Sequence, residues 1–156
     1  MYRFLLLGLI AALPAAAQPP VDYPADYRQW THVKSMLIEA GHPLHAAFGG
    51  IHHLYANQHA MQGYTGGGTF PDGSIIVFDL LEAERANNAV SEGSRKVLGV
   101  MQKQARTYAA TGGWGFEGFA GGDPDQPVVG DNAAAACFGC HTARKESDHV
   151  FSSWRD

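Results

Sequence analysis

Five consecutive residues near the C-terminus carry the chemistry that is most sharply defined by spacing: Cys137-Phe138-Gly139-Cys140-His141. Two thiols three positions apart can each add to one vinyl group of a single porphyrin, and the adjacent imidazole then falls beneath the ring as a ligand for iron. Two other uses of the thiols compete. A redox or structural disulfide of the thioredoxin kind needs a βαβ setting, which the rest of the chain does not suggest. A zinc half-site needs two further ligands at matching spacing, and Cys137 and Cys140 are the only cysteines. Neither use gives a task to a histidine directly after the second cysteine. The expectation is one covalently attached haem c, held by Cys137 and Cys140, with His141 as the axial ligand of its iron.

Other candidate ligands are weaker. The chain has eight histidines. His52 and His53 are adjacent, so on a strand they point to opposite faces and at most one could reach a haem. A sixth ligand from His52, His53, Met61 or Met101 would make a low-spin electron carrier. His42 and His45 resemble a metal pair, but Pro43 lies between them and no partner is evident. The glycines near Gly66 are not followed by a phosphate-loop lysine and read as loop. Glu117 is either an acid near the iron or an exposed strand position. Lys34 and Lys103 are expected in solvent.

The elements that must position the motif follow from periodicity and punctuation. Trp30, Val33, Met36 and Leu37 recur at helical spacing, which predicts a helix over 26–40, stopped by Gly41 and Pro43. Strands are expected over 48–55, 74–80, 95–101 and 114–119. Segment 81–92 is ambiguous, and Glu82 to Ala86 would suit a short helix. A short helix is expected over 104–110, ended by Gly112-Gly113. Asp131 or Asn132 could cap a helix that carries the cysteines. The pattern is α+β, with a mainly antiparallel sheet, a few helices and the haem motif on a C-terminal helix.

The 156 residues suffice for one domain, and 46% of them are hydrophobic, as a packed protein requires. A net charge of −4 and the lack of a basic run argue against nucleic acid. Arg3, the apolar stretch Phe4 to Ala12, Pro14 and Ala15-Ala16-Ala17 read as a signal peptide over residues 1–17. The apolar stretch is far shorter than the ~20 residues that span a bilayer, so cleavage and export, to the periplasm in a Gram-negative source, are expected. Residues 18–25, with three prolines, form a lead-in, and 26–156 a single haem-binding domain.

Several runs resemble one known family. They are Phe70-Pro71-Asp72-Gly73 before an apolar strand, Met101-Gln102-Lys103 leading to Tyr108-Ala109-Ala110-Thr111-Gly112-Gly113-Trp114-Gly115-Phe116, the Cys137–His141 motif, and Asp148-His149-Val150-Phe151. In order and spacing they are similar to the cytochrome P-460 and cytochrome c′-beta family. That resemblance implies an antiparallel β domain, often a homodimer, with a five-coordinate haem against the sheet that takes nitrogen-oxide ligands or CO. In the hydroxylamine-oxidising members a lysine on the strand after Pro-Asp-Gly is bonded to the haem edge. It would fall near Phe78, and the strand Ser74-Ile75-Ile76-Val77-Phe78 has no lysine. The c′-beta members carry aromatic caps over the open side of the iron. Phe78, and more weakly Phe48, fit that role, with ordinary sheet core as the alternative for both. The resemblance thus implies binding of a small gaseous ligand, NO or CO. The alternatives are an enzyme oxidising hydroxylamine or NO, and a six-coordinate carrier serving a redox partner protein.

Overall fold

The computed structural model describes residues 19–155, so the expected signal peptide lies outside the described residues. Five strands, β1 (Thr31–Ile38), β2 (Gly50–Ala56), β3 (Ile75–Ala86), β4 (Ala89–Lys103) and β5 (Trp114–Ala120), form one sheet in chain order. Every neighbouring pair is antiparallel. This meander is what short connections between successive strands produce. Among the described residues no helix is long and apolar enough to cross a membrane.

The helix expected over 26–40 is not formed. Tyr27–Gln29 make a single 3-10 turn, and Thr31–Ile38 is the outer strand of the sheet. A register shift between His32 and Lys34 breaks the two-residue alternation, and Met36 and Leu37 are both exposed on this edge. Apolar side chains three and four apart then imitate a helix without forming one face. Phe48 also moves: it ends a one-turn helix, α1 (His45–Phe48), and β2 starts only at Gly50.

Segment 81–92 is strand throughout. Ala83 pairs with Glu92 and Ala86 with Ala89, around Asn87 and Asn88, whose φ angles are +51° and +60°. Two left-handed residues match the twist of a tight hairpin, and asparagine tolerates them. A further helix, α2 (Gln58–Thr65), begins at Asn57, whose side-chain oxygen accepts the Ala60 amide at 2.9 Å. Only a 3-10 turn, Ala109–Thr111, stands in the expected 104–110 helix.

Apolar side chains pack on both sides of the sheet. On one, Val33, Ala56, Ile76, Trp114 and Phe116 meet Ala60 of α2, Phe70, Ala133 and Val150, with Cys137 and Phe138 against them. On the other, Val77, Leu98, Val100 and Phe119 pack with Val21, Tyr27 and Tyr108. The first side is therefore the one that the cysteine motif covers. Its helical segment is irregular: a π-turn over Ala134–Phe138, then α3 (Gly139–His141), then 3-10 turns over Thr142–Ser147. Neither Asp131 nor Asn132 caps it with a side-chain hydrogen bond. Wide π-turns within helices recur at functional sites.

Candidate haem site

The His141 ring is wedged between Phe116 of β5 and Phe151, with both ring centroids 5.0 Å away. Its Nδ1 lies 2.7 Å from the His149 carbonyl oxygen, so this nitrogen carries hydrogen and donates. Nε2, the other ring nitrogen, is then a bare lone pair suited to a metal. Burial holds the imidazole below the usual histidine range, the His149 carbonyl opposing that shift in part. A neutral ring is the form that binds iron. Cys137 is half-buried and Cys140 exposed, and the two are not bonded to each other. Burial, followed by nearby Glu117 and Cys140, raises the Cys137 thiol.

The carbonyl that orients His141 is itself held by the residues around it. Asp148 and His149 are both left-handed, with φ of +50° and +67°. Two such residues in succession are costly unless the surroundings fix them. Here the Asp148 carboxylate accepts from Lys103 Nζ at 2.6 Å and from the Phe70 amide at 3.0 Å. Its carbonyl accepts from Trp114 Nε1 at 2.7 Å. Lys103 also donates to Gly112 O at 3.1 Å and lies 5.0 Å above the Trp114 ring. A side chain at Gly112 would meet His149 at 2.6 Å, so glycine is required for the loop to close. Lys103 is thus buried and paired, contrary to its expected place in solvent.

The other half of the site lies further along the same sheet face. Leu54, Phe78, Gly99 and Gly118 stand opposite one another on successive strands, and so do His52, Leu80, Val97 and Ala120 in the next row. Directly opposed residues share a face. The rings of Phe78 and Phe48 meet edge to face at 5.8 Å, and the His52 ring lies 4.7 Å from Phe78. Phe48 reaches this cluster from α1 rather than from the strand. The three atoms nearest to a Cβ built on Gly99 all belong to Phe78, at 3.5 to 3.7 Å, so Gly99 lies directly beside the Phe78 ring. Phe48 and Phe151 are also large apolar side chains left exposed. Two cavities of about 450 and 440 Å³ lie elsewhere, and neither is bordered by Cys137, His141 or Phe78.

The family profile for cytochrome P460 matches residues 24–152. The chain belongs to the cytochrome P460 family. No curated protein matches it. As a member of this family the protein is a c-type haem protein, and its residues fit the group. The available Nε2 of His141, the two unpaired thiols and the exposed apolar rings of Phe48 and Phe151 suit a flat apolar cofactor. Cys137 and Cys140 would hold its edge and His141 its iron, and the group would supply a redox-active centre. Among the described residues there is no group of three or more His, Cys, Asp or Glu side chains placed to hold a metal ion.

Other expected candidates fall away from the site. Glu117 is buried, but its carboxylate accepts the amides of Gly118, Val129 and Gly130 at 2.8 to 3.1 Å and so ties down the loop before the motif. His53 faces the opposite side from His52 and bonds Ser35 and Glu92. Lys103, Trp114, Asp148 and His149 were not expected to position the ligand. The signal available for them was Gly112-Gly113 beside Trp114 and the polar pair Asp148-His149.

His52 also makes stability depend on pH. Burial, with His53 adjacent, lowers its pKa to about 4 from 6.5. The unfolded ring binds a proton more readily, so the contribution is complete above pH 6.5 and is lost as pH falls toward 4. The loss is on the order of 3 kcal/mol. Denaturant unfolding of the holoprotein at pH 7 and pH 4.5 should show that drop, and His52→Phe should flatten it. An equal drop in the variant would assign the dependence to other groups.

Proposed function

We propose that this cytochrome P460 family member carries one haem, attached through Cys137 and Cys140, and binds NO or CO on the side of the iron opposite His141. The observation that carries this reading is the Phe48–Phe78 ring pair on the sheet face that the motif covers. An apolar lid offers little solvation to water or anions, while NO and CO draw their affinity from the iron itself. Ferric and ferrous absorption spectra of the holoprotein, with and without NO, test it. High-spin spectra that respond to NO are expected. A low-spin spectrum unmoved by NO would instead mean a second protein ligand and an electron carrier. In the same samples Phe78→Ala should speed CO association on the order of tenfold, the factor that about 1.4 kcal/mol of barrier gives. An unchanged rate would remove Phe78 from the entry path.

A second reading is favoured by one residue. Lys34 stands opposite Leu54, in the row of Phe78, and its Nζ lies 3.5 Å from Ser153 Oγ. A lysine on this face supports oxidation of hydroxylamine or NO by a cross-linked haem. Mass spectrometry decides: a haem peptide bonded to Lys34 as well as to both cysteines would favour the enzyme. The proposed setting is the periplasm, on the strength of the leader-like residues 1–17. The proposed assembly is a homodimer, for which exposed Met36 and Leu37 on the outer strand offer apolar surface.

A further inference from the structure

Among the described residues, one buried polar side-chain atom on the covered sheet face has no partner. His52 is 2% exposed, and its Nε2 is shut off from water with no hydrogen-bond partner. A buried polar atom left unpaired costs roughly 1–3 kcal/mol, and proteins keep few of them. The ring is in contact with Phe78, which is in contact with Phe48, so the unpaired nitrogen belongs to the aromatic cluster at the open side of the iron. The neighbours across the sheet, Met36 and Leu80, offer it no acceptor or donor. His53, the nearest other titratable ring in sequence, faces away and is engaged with Ser35 and Glu92. The lowered basicity of His52 keeps it uncharged at neutral pH, which suits a donor to a neutral ligand.

We infer that His52 is the polar contact of the ligand pocket, its Nε2–H donating a hydrogen bond to the outer atom of a diatomic ligand held there. The inference rests on the gas-binding reading and names the residue that discriminates among such ligands. A donor at this point favours ligands that gain negative charge on the outer atom, and an all-apolar lid would not distinguish them. Without a ligand the same nitrogen is a cost to the fold.

The C–O stretching band of the ferrous CO adduct reads the contact directly, because a hydrogen bond to the oxygen lowers it. The wild-type band should lie below that of His52→Phe, and His52→Gln, which keeps a donor, should return toward the wild type. His52→Phe also keeps the ring packing against Phe78, and in the ligand-free holoprotein it should raise the midpoint of thermal unfolding. A band unmoved in His52→Phe would overturn the inference. So would a fall in its unfolding midpoint, since Nε2 would then have a structural partner such as a haem carboxylate. Conversion of a low-spin wild type to high spin by His52→Phe would make His52 the second axial ligand instead. If the wild-type protein takes up no CO or NO at all, the gas-binding reading itself fails, and that result is distinct from an unmoved band.

Discussion

His141→Ala should leave the haem attached to the chain and take away the side chain proposed to bind its iron. Thioethers at Cys137 and Cys140, as proposed, would not depend on the imidazole, so the mass of the holoprotein should change by the substitution alone. The iron–histidine vibration of the ferrous protein should vanish, and affinity for ligands on the open side should change with it, because the trans ligand sets the electron density at the metal. Added imidazole should restore the band, since the variant leaves a gap between Phe116 and Phe151 where the ring stood. If the band survives in the variant without added imidazole, another histidine is the ligand. Replacing Cys137 and Cys140 together by serine gives the complementary loss: the haem should come away in acidified organic solvent.

Asp79→Ala should cost the protein about 3–5 kcal/mol, the range for removing one partner of a buried ion pair. The carboxylate is entirely buried on the sheet face away from the motif. It accepts Arg95 Nε at 2.6 Å, Arg95 Nη2 at 3.2 Å and the Tyr27 hydroxyl at 2.8 Å, with Arg28 at 3.4 Å. The Tyr27 hydroxyl is pushed up to about 12, first by burial and then by its bond to Asp79. Arg95 is raised as well, chiefly by the same carboxylate. Truncation leaves that hydroxyl without its acceptor and the Arg95 guanidinium without its carboxylate, with only the Tyr27 oxygen still accepting from it at 3.0 Å. Denaturant unfolding reads the loss, and the ferrous spectrum should stay as it is, because Asp79 and its neighbours Phe78 and Leu80 point to opposite faces. A loss under about 1 kcal/mol would place the pair among ordinary surface contacts.

The sequence made the ligand motif and the inner strands legible, and the reasons differ. The Cys137–His141 spacing encodes a chemical requirement that survives any local geometry. Strands 74–80 and 114–119 sit centrally or under cover, where alternation and β-branched residues are enforced by burial. Trp30 to Leu37 sits on an edge with a bulge, so nothing enforces alternation and the helical spacing is accidental. Glu82 to Ala86 are good helix formers, but pairing with Ala89 to Glu92 overrides that preference. The residues that mark the hairpin are Asn87-Asn88, which take the left-handed backbone of its turn. In α2, Gly63 looked like loop, whereas a side chain there would strike the Phe70 ring at 2.4 Å. Phe48 was harder to place because its row depends on where β2 begins. The cradle around His141 was hidden for another reason: Lys103, Trp114 and Asp148 lie far apart in sequence and act through a main-chain carbonyl, which no residue type announces.

That carbonyl has a consequence for how the metal is tuned. Many histidine ligands hydrogen-bond a carboxylate, whose protonation changes how strongly the imidazole pushes electrons onto the metal. The acceptor here is a peptide oxygen, fixed by the left-handed pair Asp148-His149. A peptide oxygen neither titrates nor disappears when its own side chain is replaced. With His141 as the proposed ligand, the electron push through it would therefore be constant across the physiological acid range, and adjusting it would take a reshaped loop rather than a single exchange of side chain.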